Sequence, residues 1–111
     1  MQKALIVTTD GELKATSLPD DEFAQYNLMR ATVGGLIEAV PLDDSTVMWV
    51  NEEGKLHGLP ANEKATSLAA GRIFPGDYIA GQAIITGHMN DTGETVGISP
   101  QRYSELTGLE V

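Results

Sequence analysis

Cysteine is absent from the 111 residues, which excludes disulfides and thiolate chemistry and suits a reducing cytosol. Long apolar runs are missing as well. The N-terminal MQKALIVTTDGE turns polar after Ala4 to Thr8, far too short a stretch for a signal-peptide core or a membrane span. The expectation is a cytoplasmic protein with no membrane partner. Positive charge is scarce: Lys plus Arg number 7 against 16 for Asp plus Glu, a net charge of −9 and a pI near 4.4. That balance disfavours a grip on a phosphate backbone, so nucleic acid is not an expected direct partner. The carboxylates come as short groups (Asp20-Asp21-Glu22, Asp43-Asp44, Glu52-Glu53) and not as the long array of a nucleic-acid mimic. Phosphate-loop, dinucleotide-fingerprint, paired-histidine and nucleophile-elbow signatures are all missing. No cofactor is expected.

What is present centres on Val47 to Ala65, VMWVNEEGKLHGLPANEKA. Thr46 to Val50 combines β-branched and aromatic residues in a run too short for a globular helix, and reads as a strand covered on both faces. Asn51 to Lys55 reads as a polar turn at Gly54, and Lys55 to His57 as a return strand. Pro60 suits the first turn of a helix over Ala61 to Ala70, with Ala65, Leu68 and Ala69 inward and Gly71 at its end. Asn62 as N-cap would start that helix two residues later.

Upstream, Ala4 to Thr8 and Leu13 to Leu18 read as a hairpin turned at Asp10-Gly11. Phe23, Tyr26, Met29 and Val33 fall at helical spacing behind the acids of 20–22, predicting a helix over 20–33 stopped by Gly34. Leu36 to Leu42 is a third strand, which Pro41 assigns to an edge or a bulge. Downstream, Ile73-Phe74-Pro75-Gly76-Asp77 reads as a turn with two buried anchors, and Tyr78 to Thr86 as a long strand in which Gly81 marks a bulge or a close backbone approach. Asn90, Asp91 and Gly93 are turn formers before a short strand at Thr95 to Ile98. Ser99-Pro100 opens a closing helix over Gln101 to Leu106, ended by Gly108. Without strict β-α-β alternation, the pattern predicts one α+β domain: a mostly antiparallel sheet of five to seven strands carrying two or three helices.

Chemistry-bearing residues are few. Glu38, on one strand face with Leu36, Val40 and Leu42, is either a half-buried acid or base or the partner of a cation across the sheet. Glu38, Asp77 and His57 are the candidates for acid-base work. A metal would have to recruit His57 or His88 with Asp77, Asp91 or Glu38. A binding site is more defensible. The first N–H groups of the helix near 60–62 can accept an anion, Asn51, Lys55 and Asn62 can add donors, and Trp49 or Tyr78 can stack on a base. The plainer alternative is that Asn51 and Asn62 satisfy backbone groups and Trp49 is core.

Three phrases, VGGLIEAVPL at 33–42, WVNEEGKLHGLPANEKAT at 49–66 and FPGDYIAG at 74–81, resemble an uncharacterised small domain family met in actinobacteria and other bacteria, their phages and plasmids. The resemblance carries no activity or catalytic residues; it implies a neighbourhood rich in mobile elements. The expectation is a non-enzymatic binding protein of phage or plasmid type that antagonises host defence, by sequestering a nucleotide-like small molecule or by capping a host protein. An acidic protein-interaction module and a small acid-base enzyme are the alternatives. A homo-oligomer is expected, because so short a chain has little interior in which to enclose a ligand alone.

Overall fold

A computed structural model describes residues 2–89 and 94–108. The first hairpin pairs β1 (Lys3–Val7) with β2 (Leu13–Ser17), and α1 (Glu22–Val33) follows, with Asp21 accepting from Ala24 N–H at its N-cap and Gly34 closing it. A second hairpin joins β3 (Ile37–Pro41) to β4 (Thr46–Asn51). After α2 (Glu63–Leu68), β5 (Ala83–Gly87) inserts between the two hairpins, and α3 (Pro100–Thr107) ends the described chain. The sheet order is β2-β1-β5-β4-β3 and every pairing is antiparallel. The expected α+β class therefore holds, with five strands and three helices among the described residues.

Strand alternation sorts the core into two layers, one on each side of the sheet. Ala4, Ile84 and Trp49 face α1, where Leu18 and Met29 complete the packing. Leu5, Val7, Met48, Val50 and Ile85 face the other way and meet Ala65 and Ala69 of the α2 region, Ile79, and Tyr103 of α3. Both faces of β4 and β5 are thus covered, as the unbroken apolar run at 46–50 predicts.

Several expectations are corrected. The buried stripe of α1 is Gln25, Met29 and Val33, while Phe23 and Tyr26 are exposed. Gln25 is drawn inward because its amide donates to Pro19 O (2.7 Å) and Thr95 O (2.8 Å), fastening the helix to two loops. No return strand forms at 55–57; residues 53–59 coil into turns closed by His57 N–H to Glu53 O and Leu59 N–H to Gly54 O. Both edges of β4 are already taken by β3 and β5, so a returning strand has nothing to pair with. The long strand at 78–86 is halved: Gly81, at φ +88°, turns 78–81 away to bond with 60–62, through Asn62 N–H to Ile79 O and Gly81 N–H to Pro60 O. Phe74 is exposed and is no buried anchor. Residues 95–98 run extended beside β5 and β1 with only an isolated bridge at Thr95. Asn90, Asp91 and Gly93 lie outside the described residues. Helix α2 starts after Asn62, the later of the two starts the sequence allows.

Two polar nodes join these pieces. Asn62 is fully buried; its Oδ1 accepts from Ala65 N–H (2.9 Å) and its Nδ2 donates to Val7 O (3.0 Å) and Gly81 O (2.9 Å). Asp43, in the β3–β4 turn, accepts from Ser45 and Thr46 and pairs with Arg102 of α3 at 2.7 Å. Partial burial pushes the Asp43 carboxyl up, but the Ser45 and Thr46 hydrogen bonds and the Arg102 guanidinium outweigh it and hold the group at about 2, against an ordinary 3.8.

Asn62→Ala removes the cap and leaves Gly81 O without its donor and Val7 O with only its ladder partner Ala83, an expected loss of about 2–3 kcal/mol in urea unfolding. Asn62→Asp, which keeps the cap acceptor but sets a buried carboxylate oxygen against those two carbonyls, should cost at least as much. For Asp43 the depressed folded-state value means that stability is present above the ordinary pKa and is lost as pH falls from about 4 to about 2. After discounting for its partial exposure, that loss is on the order of 1–2 kcal/mol. Unfolding measured across this window should show a shallower acid limb in Asp43→Asn.

Candidate functional site

The turns at 52–58 and the segment 73–80 approach closely at the open end of β3 and β4. Gly54 makes the approach possible: a Cβ there would lie 2.7 Å from Ala80 O. Between them is a cleft of about 220 Å³ whose walls include Glu38, Val50, Glu52, Glu53, Lys55 and Tyr78. A second, shallower hollow of about 480 Å³ runs along β3 against Arg72, Phe74 and Pro75. The two share Glu38, Val40, Ile73 and Asp77 in their walls and so adjoin.

Of the five residues expected to bind a ligand, three are at this cleft. Lys55 forms an ion pair with Asp77, and its ammonium stands 4.9 Å from the centre of the Tyr78 ring. Asn51 lines the cleft, but its amide is committed to the backbone, Nδ2 donating to Val33 O (3.1 Å) and Oδ1 accepting from Glu53 N–H (2.8 Å). The other two are elsewhere. Trp49 lies on the α1 side of the sheet, its indole donating to Thr86 Oγ1 at 2.9 Å. Asn62 is buried with every polar atom engaged. The helix it caps has six residues, and the Ala65 N–H of its first turn is already taken by the Asn62 side chain. The geometry here follows the plainer reading of Trp49, Asn51 and Asn62, and the helix-end site is not assembled.

The acid-base candidates are also separated. Glu38 and Asp77 share the cleft, whereas His57 stands exposed on the turn beside Glu53 (3.6 Å) and is not in its walls. The hydrogen bond from Lys55, helped by the Tyr78 N–H, holds the Asp77 carboxyl below its ordinary value, so it stays ionised at neutral pH and is a poor proton donor. The residue opposite Glu38 across the sheet is Val50, so Glu38 has no cation beside it on β4. No three His, Asp or Glu side chains gather as a metal site among the described residues.

Glu38, Lys55, Asp77 and Tyr78 are expected site residues, whereas Glu52, Glu53, Leu56, Arg72 and Phe74 carry no site signal in the sequence and add to the cleft's character. Four carboxylates (Glu38, Glu52, Glu53, Asp77) stand against two cations (Lys55, Arg72) in the walls of the two hollows. Leu56 is 81% exposed, Phe74 83% and Tyr78 43%, three large apolar side chains at the rim. The available signal was the placing of Leu56 between Gly54 and Gly58, two residues from each, and of Phe74 before Pro75-Gly76, in turns where an apolar residue has little core to enter.

Fold and cleft together define a small α+β domain with a negatively charged, apolar-rimmed groove at one sheet edge. The chain belongs to the family described as domain of unknown function (DUF3846), which matches residues 1–108. No curated protein and no solved structure matches it. No helix among the described residues is long and apolar enough to cross a membrane.

Lys55→Gln should raise the Asp77 titration toward 3.8, followed by carboxyl-carbon NMR. The urea midpoint should stay where the wild type has it, because the pair is exposed. A large loss of stability would make the pair architectural.

Proposed function

We propose that this domain is a non-enzymatic binding module whose cleft receives a positively charged, partly apolar segment of a partner protein. The observation that carries the reading is the conjunction at one place of four carboxylates and three exposed apolar side chains. A cationic segment gains from the field of the carboxylates, and its apolar residues have Leu56, Phe74 and Tyr78 to cover. A nucleotide has less to recommend it, since its phosphates would approach those carboxylates with Lys55 already paired to Asp77. In the mobile-element setting that the resemblance implies, the segment belongs to a host protein that the module caps, and capping a defence protein is the form this would take in a phage or plasmid.

The test is an array of nine-residue amidated peptides of mixed Lys, Arg, Leu and Val content, probed with the intact protein at two salt concentrations. Basic-apolar peptides should bind, should weaken several-fold as salt rises, and should be lost with the double variant Glu38→Lys, Asp77→Lys. In parallel, thermal unfolding against linear and cyclic nucleotides should show no shift. Binding of a nucleotide and of no peptide would replace this reading with sequestration.

A further inference from the structure

The cleft borders the free edge of β3, and the hydrogen-bond parity of that strand can be worked out residue by residue. Glu52 N–H donates to Leu36 O at 2.8 Å, and Leu42 N–H to Thr46 O at 3.0 Å. In an antiparallel ladder directly opposed residues alternate between bonded and non-bonded pairs. With Glu38 opposite Val50 and Val40 opposite Met48, the backbone groups of Leu36, Glu38, Val40 and Leu42 therefore turn toward β4. Those of Ile37, Ala39 and Pro41 turn outward, where the sheet has no further strand. Proline offers no N–H, so the outer edge presents donors at Ile37 and Ala39 and acceptors at Ile37, Ala39 and Pro41.

We propose that the partner segment binds as an added antiparallel strand on this edge. The inference rests on the reading of the cleft as a site for a basic segment and specifies how that segment lies. Two backbone bonds form at Ile37, two at Ala39 and one at Pro41. Alternation then decides which side chains of the segment are read. Those opposite Glu38 and Val40 point to the cleft side of the sheet, and their neighbours point to the α1 side, beside Ile37 and Ala39. The residue opposite Glu38 has that carboxylate beside it, with no cation on β4 to pair it and with Asp77 of the same cleft already held by Lys55, and is a lysine or arginine. The residue opposite Val40 meets Ile73 and Phe74 and is apolar. Charge decides the occupant: a second copy of this chain would bring another −9 and set two acidic edges together, whereas a basic segment neutralises the one that is there.

Antiparallel pairing gives the order apolar, any, basic along the segment, and the amidated heptapeptide KTVTKTK places its valine opposite Val40 and its fifth residue opposite Glu38. Its binding to the full chain is compared with that of two N-methylated forms. Methylation at the fourth residue, whose N–H points at Ala39 O, should weaken binding roughly tenfold or more, and methylation at the fifth, whose N–H points to solvent, should change it less than twofold. Ala39→Pro, which deletes an outward donor as Pro41 already does, should weaken the unmodified peptide to a similar degree with circular dichroism unchanged. The methylated peptides need no variant, so they decide even where Ala39→Pro fails to fold. Binding of KTVTKTK that is lost in the Glu38→Lys, Asp77→Lys variant but indifferent to either methylation would overturn strand addition and leave the basic-segment reading intact. Failure of KTVTKTK while other array peptides bind would also overturn it. If no basic peptide binds at all, both readings fall. Self-association by sedimentation that Ala39→Pro abolishes would identify a second copy as the occupant and overturn the basic partner.

Discussion

The buried amide of Asn62 ties together the pieces of chain that form the cleft. One side chain caps α2, holds the last carbonyl of β1 and holds the carbonyl of Gly81, and so fixes three separate stretches of chain to one point. An amide is the only small side chain with an acceptor and two donors for such a task. Because Asn62 N–H also bonds Ile79 O, the 78–81 segment is pinned alongside 60–62, and this alignment brings Tyr78 and Asp77 to the turn that carries Lys55. The cleft is a consequence of that anchoring. A residue that looks like a ligand donor in the sequence is the frame on which the ligand-facing residues are mounted.

Charge and topology then act together. Residues 52–58 cannot return as a strand, because β4 is paired on both edges, and they coil outward with Glu52, Glu53 and Leu56 at the surface. On the opposite side of the groove, Phe74 sits in a turn before Gly76 with no core to enter. Strand β3 closes the third side as an exposed sheet edge, guarded at one position by Pro41. An edge with most of its backbone groups intact, next to apolar side chains and unbalanced carboxylates, is suited to a chain that brings both backbone partners and positive charge.

Much of the fold was legible in the sequence because its signals are local. The N-caps Asn62 and Ser99, the stops at Gly34 and Gly108, the edge position of Pro41 and the doubly covered strand at 46–50 each follow from side-chain chemistry within a few residues. What was not legible depends on partners far along the chain. Gln25 is inside because Thr95, seventy positions away, receives its amide, and no helical periodicity reports that. The break at Gly81 is set by the pairing of 78–81 with 60–62, and the missing return strand at 55–57 by the occupied edges of β4. The candidate site divides in the same way. Lys55 and Tyr78 meet, whereas Trp49 faces the opposite side of the sheet from the cleft, because one residue of strand register separates it from Val50.

Amide hydrogen exchange read residue by residue in NMR shows whether the outer edge of β3 is an open template beside an acidic cleft. In the protein alone, Glu38 and Val40 should be protected and Ile37 and Ala39 should exchange fast; with saturating basic segment, the latter two should slow markedly while the former change little. Ile37 and Ala39 amides that are already protected in the isolated domain would mean that the edge is closed, and amides that stay fast when the segment is bound would mean that no strand is added there.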